Sequence, residues 1–230
     1  MAVSSTNTFT VTRNDIIDSA LRTLGVIGIG ETPTTEDYTN CSQALNIMIK
    51  SWSKKGYPLW VVSTQTINLV DGTASYNLGT RPVRIFGAYI RNTDNHDTQL
   101  RLISNQEYDD LGNKTTEGTP NQIYYDNQLA AGTVYVYPVP DATSADYTIY
   151  VEAQRMFYDM SASTDNFDFP QEWFQAIKWG LAAEIAVEYG VDIQLVSYYE
   201  AKSQAYIEDS FNFSVEEPSV YFTVNMQGTR

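Results

Sequence analysis

The sequence predicts an α+β protein. A discontinuous α-helical bundle, with two N-terminal and two C-terminal helices, frames an inserted antiparallel β-sandwich or barrel-like domain, and an extended C-terminal arm follows. Three observations carry this. Apolar residues recur at helical spacing near both ends of the chain. About seven short strand-like runs, separated by turn residues, lie between them. The last stretch shows neither period but contains a strand-prone run, "SVYFTV". The expected boundaries are 1–57 and 165–211 for the two halves of the helical domain, 58–164 for the β domain and 212–230 for the arm.

The first helix opens at Thr12, whose side chain can cap it in a box with Asp15. Ile16, Ile17, Ala20, Leu21 and Leu24 then fall on one face, and Gly25 ends the helix. Thr35 is the expected cap of the second helix, with Glu36 and Asp37 in the first turn, where the dipole favours acids. Tyr38, Cys41, Leu45, Met48 and Trp52 step by three and four, so Cys41 reads as a core residue. Lys54–Gly56 and Pro58 mark the end of that helix.

After Pro58 the pattern becomes that of strands. Residues 59–78 read as two strands around an Asp71-Gly72 turn, a hairpin signal. Residues 81–91 and 99–103 read as further strands. Ser104 and Glu107 can cap a short helix through Leu111. "NQIYYD", "GTVYVYPVP" and "YTIYVEAQR" complete the set. Helical spacing returns with Asp168 as expected cap and Pro170 in the first turn. Phe174, Ile177, Leu181 and Ile185 form the stripe, and Gly190 closes it. A fourth helix follows Asp192, with Leu195, Tyr199, Lys202 and Tyr206 roughly aligned.

Composition narrows the function. The net charge of −14 disfavours a protein that grips nucleic acid through its phosphates. From Met156 onward there are three basic residues against twelve acidic ones, so the final third is the most acidic. Seventeen tyrosines suit either strands or surfaces buried in assemblies. A single cysteine and a single histidine allow no internal disulfide and no Cys/His zinc cluster. The N-terminus has no signal-peptide pattern and no apolar run is long enough to cross a bilayer, so the reading is a soluble protein made in a reducing cytoplasm that does not engage membranes.

The stretch "LGVIGIGETPTTE" (Leu24–Glu36) suggests a phosphate-binding loop, but its glycines run G-x-x-G-x-G after a helix, the reverse of the dinucleotide fingerprint. An interhelical turn is the expectation. His96 lies in a polar turn with no nucleophile in a catalytic context, and Glu107, Asp109 and Asp110 read as the wet face of a short helix. "DNHD" and "DMSASTDNFD" lack the ligand spacing of a calcium loop. No catalytic, cofactor or metal residue is expected. Glu184 and Glu188, four apart, with Glu200 and Glu208 on the next helix, form either a solvated outer face or an acidic wall along a DNA passage.

With these helices placed, the chain resembles the head-to-tail adaptor proteins of short-tailed phages, a group that includes the tail tubular protein A family. The resemblance rests on L-G-V followed by a Gly-Glu-x-Pro turn, on L-N-x-M and W-S-x-x-G-x-x-L-W, and on F-P-x-E-W before an alanine-rich helix. It implies a non-enzymatic virion protein of the neck and tail. It further implies a homo-oligomeric ring, usually of twelve copies, between the portal protein and the tail nozzle or hub protein. Double-stranded DNA would pass without specific binding. By the same resemblance, Ser219, Val220, Tyr221, Phe222, Thr223 and Val224 are the arm residues expected to reach the portal or a neighbouring copy. Two other readings of the residues are a β-sandwich tail module that binds host glycan through exposed Tyr and Trp, and a peptidoglycan hydrolase using Glu107 or its neighbours.

Overall fold

The computed structural model describes residues 9–54, 58–129 and 131–214. Helix α1 (Arg13–Leu24) starts at Thr12, whose hydroxyl accepts from Asp15 N while Asp15 reaches back to Thr12 N at 3.0 Å. It stops at Gly25 in the left-handed conformation, φ +74°. Helix α2 (Thr35–Trp52) has the same capping box one residue earlier than expected: Thr34, not Thr35, is the cap, paired with Asp37. A box needs its acid three residues on, and only Thr34 has one at that spacing.

The β domain is a seven-stranded sheet ordered β1-β7-β3-β4-β5-β6-β2. Its strands are β1 (Val62–Asn68), β2 (Ser75–Asn77), β3 (Arg84–Arg91), β4 (Asp97–Ile103), β5 (Gln122–Asn127), β6 (Gly132–Tyr137) and β7 (Thr148–Gln154). Burial alternates along β6, whose Val134 and Val136 point into the core with Ile123, Ile149 and Val151. Helix α3 (Asn105–Asp109), with its Ser104–Glu107 box, sits between β4 and β5. That crossover makes β4 and β5 parallel, the one exception to the expected antiparallel pairing.

The predicted 59–78 hairpin does not form. The turn is present, with Gly72 at φ +71°, but β1 pairs with β7 and β2 with β6, so the two strands occupy opposite edges of the sheet. Burial decides against local pairing: Ile67 and Leu69 enter the core beside Ile149, while Tyr76 reaches back to bond Val70 through its hydroxyl. The link 69–74 therefore joins the two edges. Six linking residues reach at most about 25 Å, whereas six interstrand spacings of a flat sheet amount to about 29 Å. The sheet must curl, and it does so into a nearly closed barrel.

Helices α4 (Phe174–Ile185) and α5 (Ile193–Phe213) return to α1 and α2. Asp168 does not cap α4. A turn of 3-10 helix, Gln171–Trp173, follows Pro170 and leads in, while Asp168 faces Arg155 with a 2.8 Å contact to Nη2. Asp192 caps α5 as expected, accepting from Gln194 N. The buried line of α5 is Val196, Tyr199, Ser203, Ile207 and Ser210, so Leu195 and Lys202, expected on the stripe, are exposed. The helix runs through Phe213, two residues into the expected arm.

One core joins all four long helices: Ile17, Leu21, Leu45, Ile49, Ile177 and Leu181 are fully buried in it. Val61, Phe157 and Met160 enter the same core from the ends of the β segment. The junction is tightly tied. Phe157 stacks on Phe169 at 4.7 Å, Gln154 donates to Ser53 O, and Asn46 exchanges two hydrogen bonds with the Met160 backbone.

Candidate functional site

The residues singled out for chemistry are engaged in structure. Gly28 N donates to Glu31 Oε2 at 2.6 Å, so the chain's own carboxylate occupies the amide that a phosphate would need. Gly25 and Gly30, both at positive φ, shape the expected interhelical turn. Cys41 is buried beside the Tyr189 hydroxyl, and burial pushes its thiol pKa up, away from a reactive thiolate. Glu107 is held by the Ser104 backbone and side chain, with Arg101 alongside, and these lower its pKa. A glycosidase general acid needs the opposite shift. Asp109 pairs with Lys114 at 2.9 Å. His96 stays in an exposed turn, its backbone amide bound to Asn92 Oδ1. No group of three or more His, Cys, Asp or Glu suited to a metal occurs among the described residues.

Tyrosines serve two purposes. Three staple helices: Tyr38 donates to Asp18, Tyr189 to Asp37 and Tyr199 to the carbonyl of Thr23. Burial and the Asp18 bond push the Tyr38 pKa up to about 12. Others stack on the outside of the barrel. Tyr89 and Tyr150, register partners on β3 and β7, lie 5.0 Å apart under the Arg91 guanidinium. Tyr124 and Tyr135 stack with Tyr108 of α3. These rings cover one another and stiffen the sheet surface.

The acidic face is built by the close approach of α4 to α2 at Gly180. One turn later, Glu184 stands between two adjoining grooves. One groove lies between α2, α4 and α5 and includes Ser51, Glu200 and Gln204; the other runs along Asn40, Gln43 and Ile47 of α2 and includes Glu188. Glu184, Glu188 and Glu200 are thus brought together. Glu208 lies two turns along α5 from Glu200, outside both grooves, and accepts from Gln204. The first three make no ion pair among the described residues. Ser219–Val224 lie outside the described residues.

Sequence reasoning overlooked the opposite flank of the same hairpin. Tyr198 and Lys202 share a line on α5 across the buried stripe from Glu200 and Gln204. Lys202 lies over the Tyr198 ring and Lys178 over the Trp179 ring, and Trp179 meets Tyr198 edge-on at 6.2 Å. Arg22 of α1 shares a groove with Lys178. The signal was present: Lys178 and Lys202 are the only bases between Met156 and the terminal Arg230.

Two helices before a curled sheet and two after it, joined in one core, are the frame that the residue pattern predicts, and the match to a known family covers nearly all of it. Residues 11–219 match the family described as SU10 adaptor protein. The chain belongs to the SU10 adaptor family. The match begins just before the α1 cap and runs past α5, so it takes in both helical halves and the whole sheet. No curated protein matches the chain. As an SU10 adaptor it has a structural role in a bacteriophage, and none of its described helices is long and apolar enough to cross a membrane.

Proposed function

We propose that this SU10 adaptor assembles as a ring, of twelve copies by its resemblance, between the portal protein and the tail nozzle of the virion neck, around the path of the DNA. The single observation that carries the reading is the family match across both helical halves and the sheet. The physics of the chain supports it. A net charge of −14 keeps phosphates from sticking to a passage wall, so a duplex can move through. The stapled junction makes the helical and β parts one stiff body, suited to joining two assemblies. Tyr221, Phe222 and their neighbours in Ser219–Val224 are the proposed arm, adding a strand to an exposed sheet edge of the portal or of another copy. Glu184, Glu188 and Glu200 form an exposed acidic face that is open either to the passage or to a neighbouring copy.

Cross-linking in intact virions tests the proposal: an adaptor yields cross-links to both portal and nozzle. Cross-links confined to a peripheral fibre would instead favour the glycan-binding module, whose supporting observation is the set of tyrosine stacks on the barrel. Deleting 215–230 is expected to weaken docking and leave the melting temperature of the free chain nearly unchanged. The cut spares Ser214, which bonds Trp173 Nε1 and Leu59 N.

A further inference from the structure

The helical hairpin of α4 and α5 carries unpaired charge of opposite sign on its two flanks. On one flank, Glu184, Glu188 and Glu200 line grooves against α2, with Ile47 58% exposed beside them. On the other, Lys178 lies over Trp179 and Lys202 over Tyr198, Arg22 of α1 shares a groove with Lys178, and Tyr198 and Leu195 are each about half exposed. None of these six charged side chains makes an ion pair among the described residues. Three acids lie near the basic flank. Asp15 is occupied by the Thr12 cap, Asp18 accepts from the Tyr38 hydroxyl one turn before Arg22, and Asp209 lies about two turns beyond Lys202.

We infer that the acidic flank of one copy docks the basic, aromatic flank of the next. The inference rests on the ring reading above and assigns its subunit contact. A self-complementary two-fold contact would set acid against acid, or base against base, and would be disfavoured by like-charge repulsion. Joining unlike flanks sets the three glutamates against the three basic residues and covers Ile47, Leu195 and Tyr198 together. A contact between two different faces of one molecule repeats head to tail, and it closes into a ring when the rotation per copy allows. The glutamates then lie between copies, and the acidity facing the DNA path comes from other residues.

Charge reversal on each flank tests this. Variant one carries Lys178→Glu and Lys202→Glu, which makes both flanks acidic; variant two carries Glu184→Lys and Glu200→Lys, which makes both basic. Sedimentation of the full chain, alone and with the portal protein of the same phage, reads self-association. Each variant by itself is expected to associate at least about tenfold more weakly than the wild type, and an equal mixture of the two to recover association by alternating copies. Melting temperatures near the wild-type value verify that each variant folds. Unchanged association of the single variants, or a mixture that fails to recover, overturns the inference while leaving the ring reading intact. A wild-type chain that forms no multi-copy assembly in either condition overturns both.

Discussion

At Gly180 a Cβ would stand 2.8 Å from Met48 Sδ and 2.9 Å from Trp52 Cζ2, so the spacing of α2 and α4 depends on its absence. Gly180→Val should destabilise the fold by about 2–3 kcal/mol in urea unfolding, because the added methyls meet the buried Trp52 ring, itself held against Phe169 and Trp173. A cost within about 0.5 kcal/mol of zero would mean that the helices are free to part. The acids at the helix starts set the pH response. Asp37 has its pKa lowered chiefly by the Thr34 side chain, then by the Tyr189 hydroxyl, and Asp15 is lowered by Thr12. A carboxyl with a depressed folded pKa binds its proton more readily in the unfolded chain. Its contribution is therefore complete above the ordinary value of 3.8 and is lost as pH falls through the lower, folded value. Urea titrations at stepped pH should show stability falling below about pH 4, and Asp37→Asn should flatten that acid limb.

Individual elements show what could and could not be read in advance. Capping boxes, the αL glycine after α1 and the period of α4 are local, and their residues lie within a few positions of one another. The pairing of β1 and β2 is not local. Asp71-Gly72 encodes a turn, but which strands pair across it depends on Ile149, about eighty residues away. Asp168 misleads for the same reason: an acid ahead of a helix looks like a cap until Arg155, thirteen residues back, is seen beside it. The two roles separate by mutation. Asn is as good a cap as Asp, so Asp168→Asn would be nearly neutral for a cap, whereas loss of this partly buried pair should cost about 2 kcal/mol. Amide hydrogen exchange offers an element-level check on the sheet: protection should be greatest in β7, which is paired on both sides, and least in the three-residue edge strand β2. Glu184 and Glu188 were legible as a pair, because i, i+4 spacing puts them on one face, whereas the approach of Glu200, and the separation of Glu208, depend on how α5 packs. The basic flank was missed because Lys202 sat on an assumed buried stripe, and the true line is rotated by one residue to Val196, Tyr199 and Ser203.

For the whole molecule, the informative feature is what the fold uses its residues for. Hydroxyls, caps and aromatic clusters all fasten one part of the chain to another, and the unpaired charges face outward on opposite flanks. That pattern suits a subunit that meets copies of itself at the sides and other proteins at its ends. The measurement that tests this most directly is electron microscopy of the full chain mixed with the portal protein of the same phage. The account predicts a closed ring of this chain stacked coaxially on the portal, with a central opening wide enough for a DNA duplex. Particles in which the chain is absent from the portal, or bound as isolated copies on its outer rim, would contradict it.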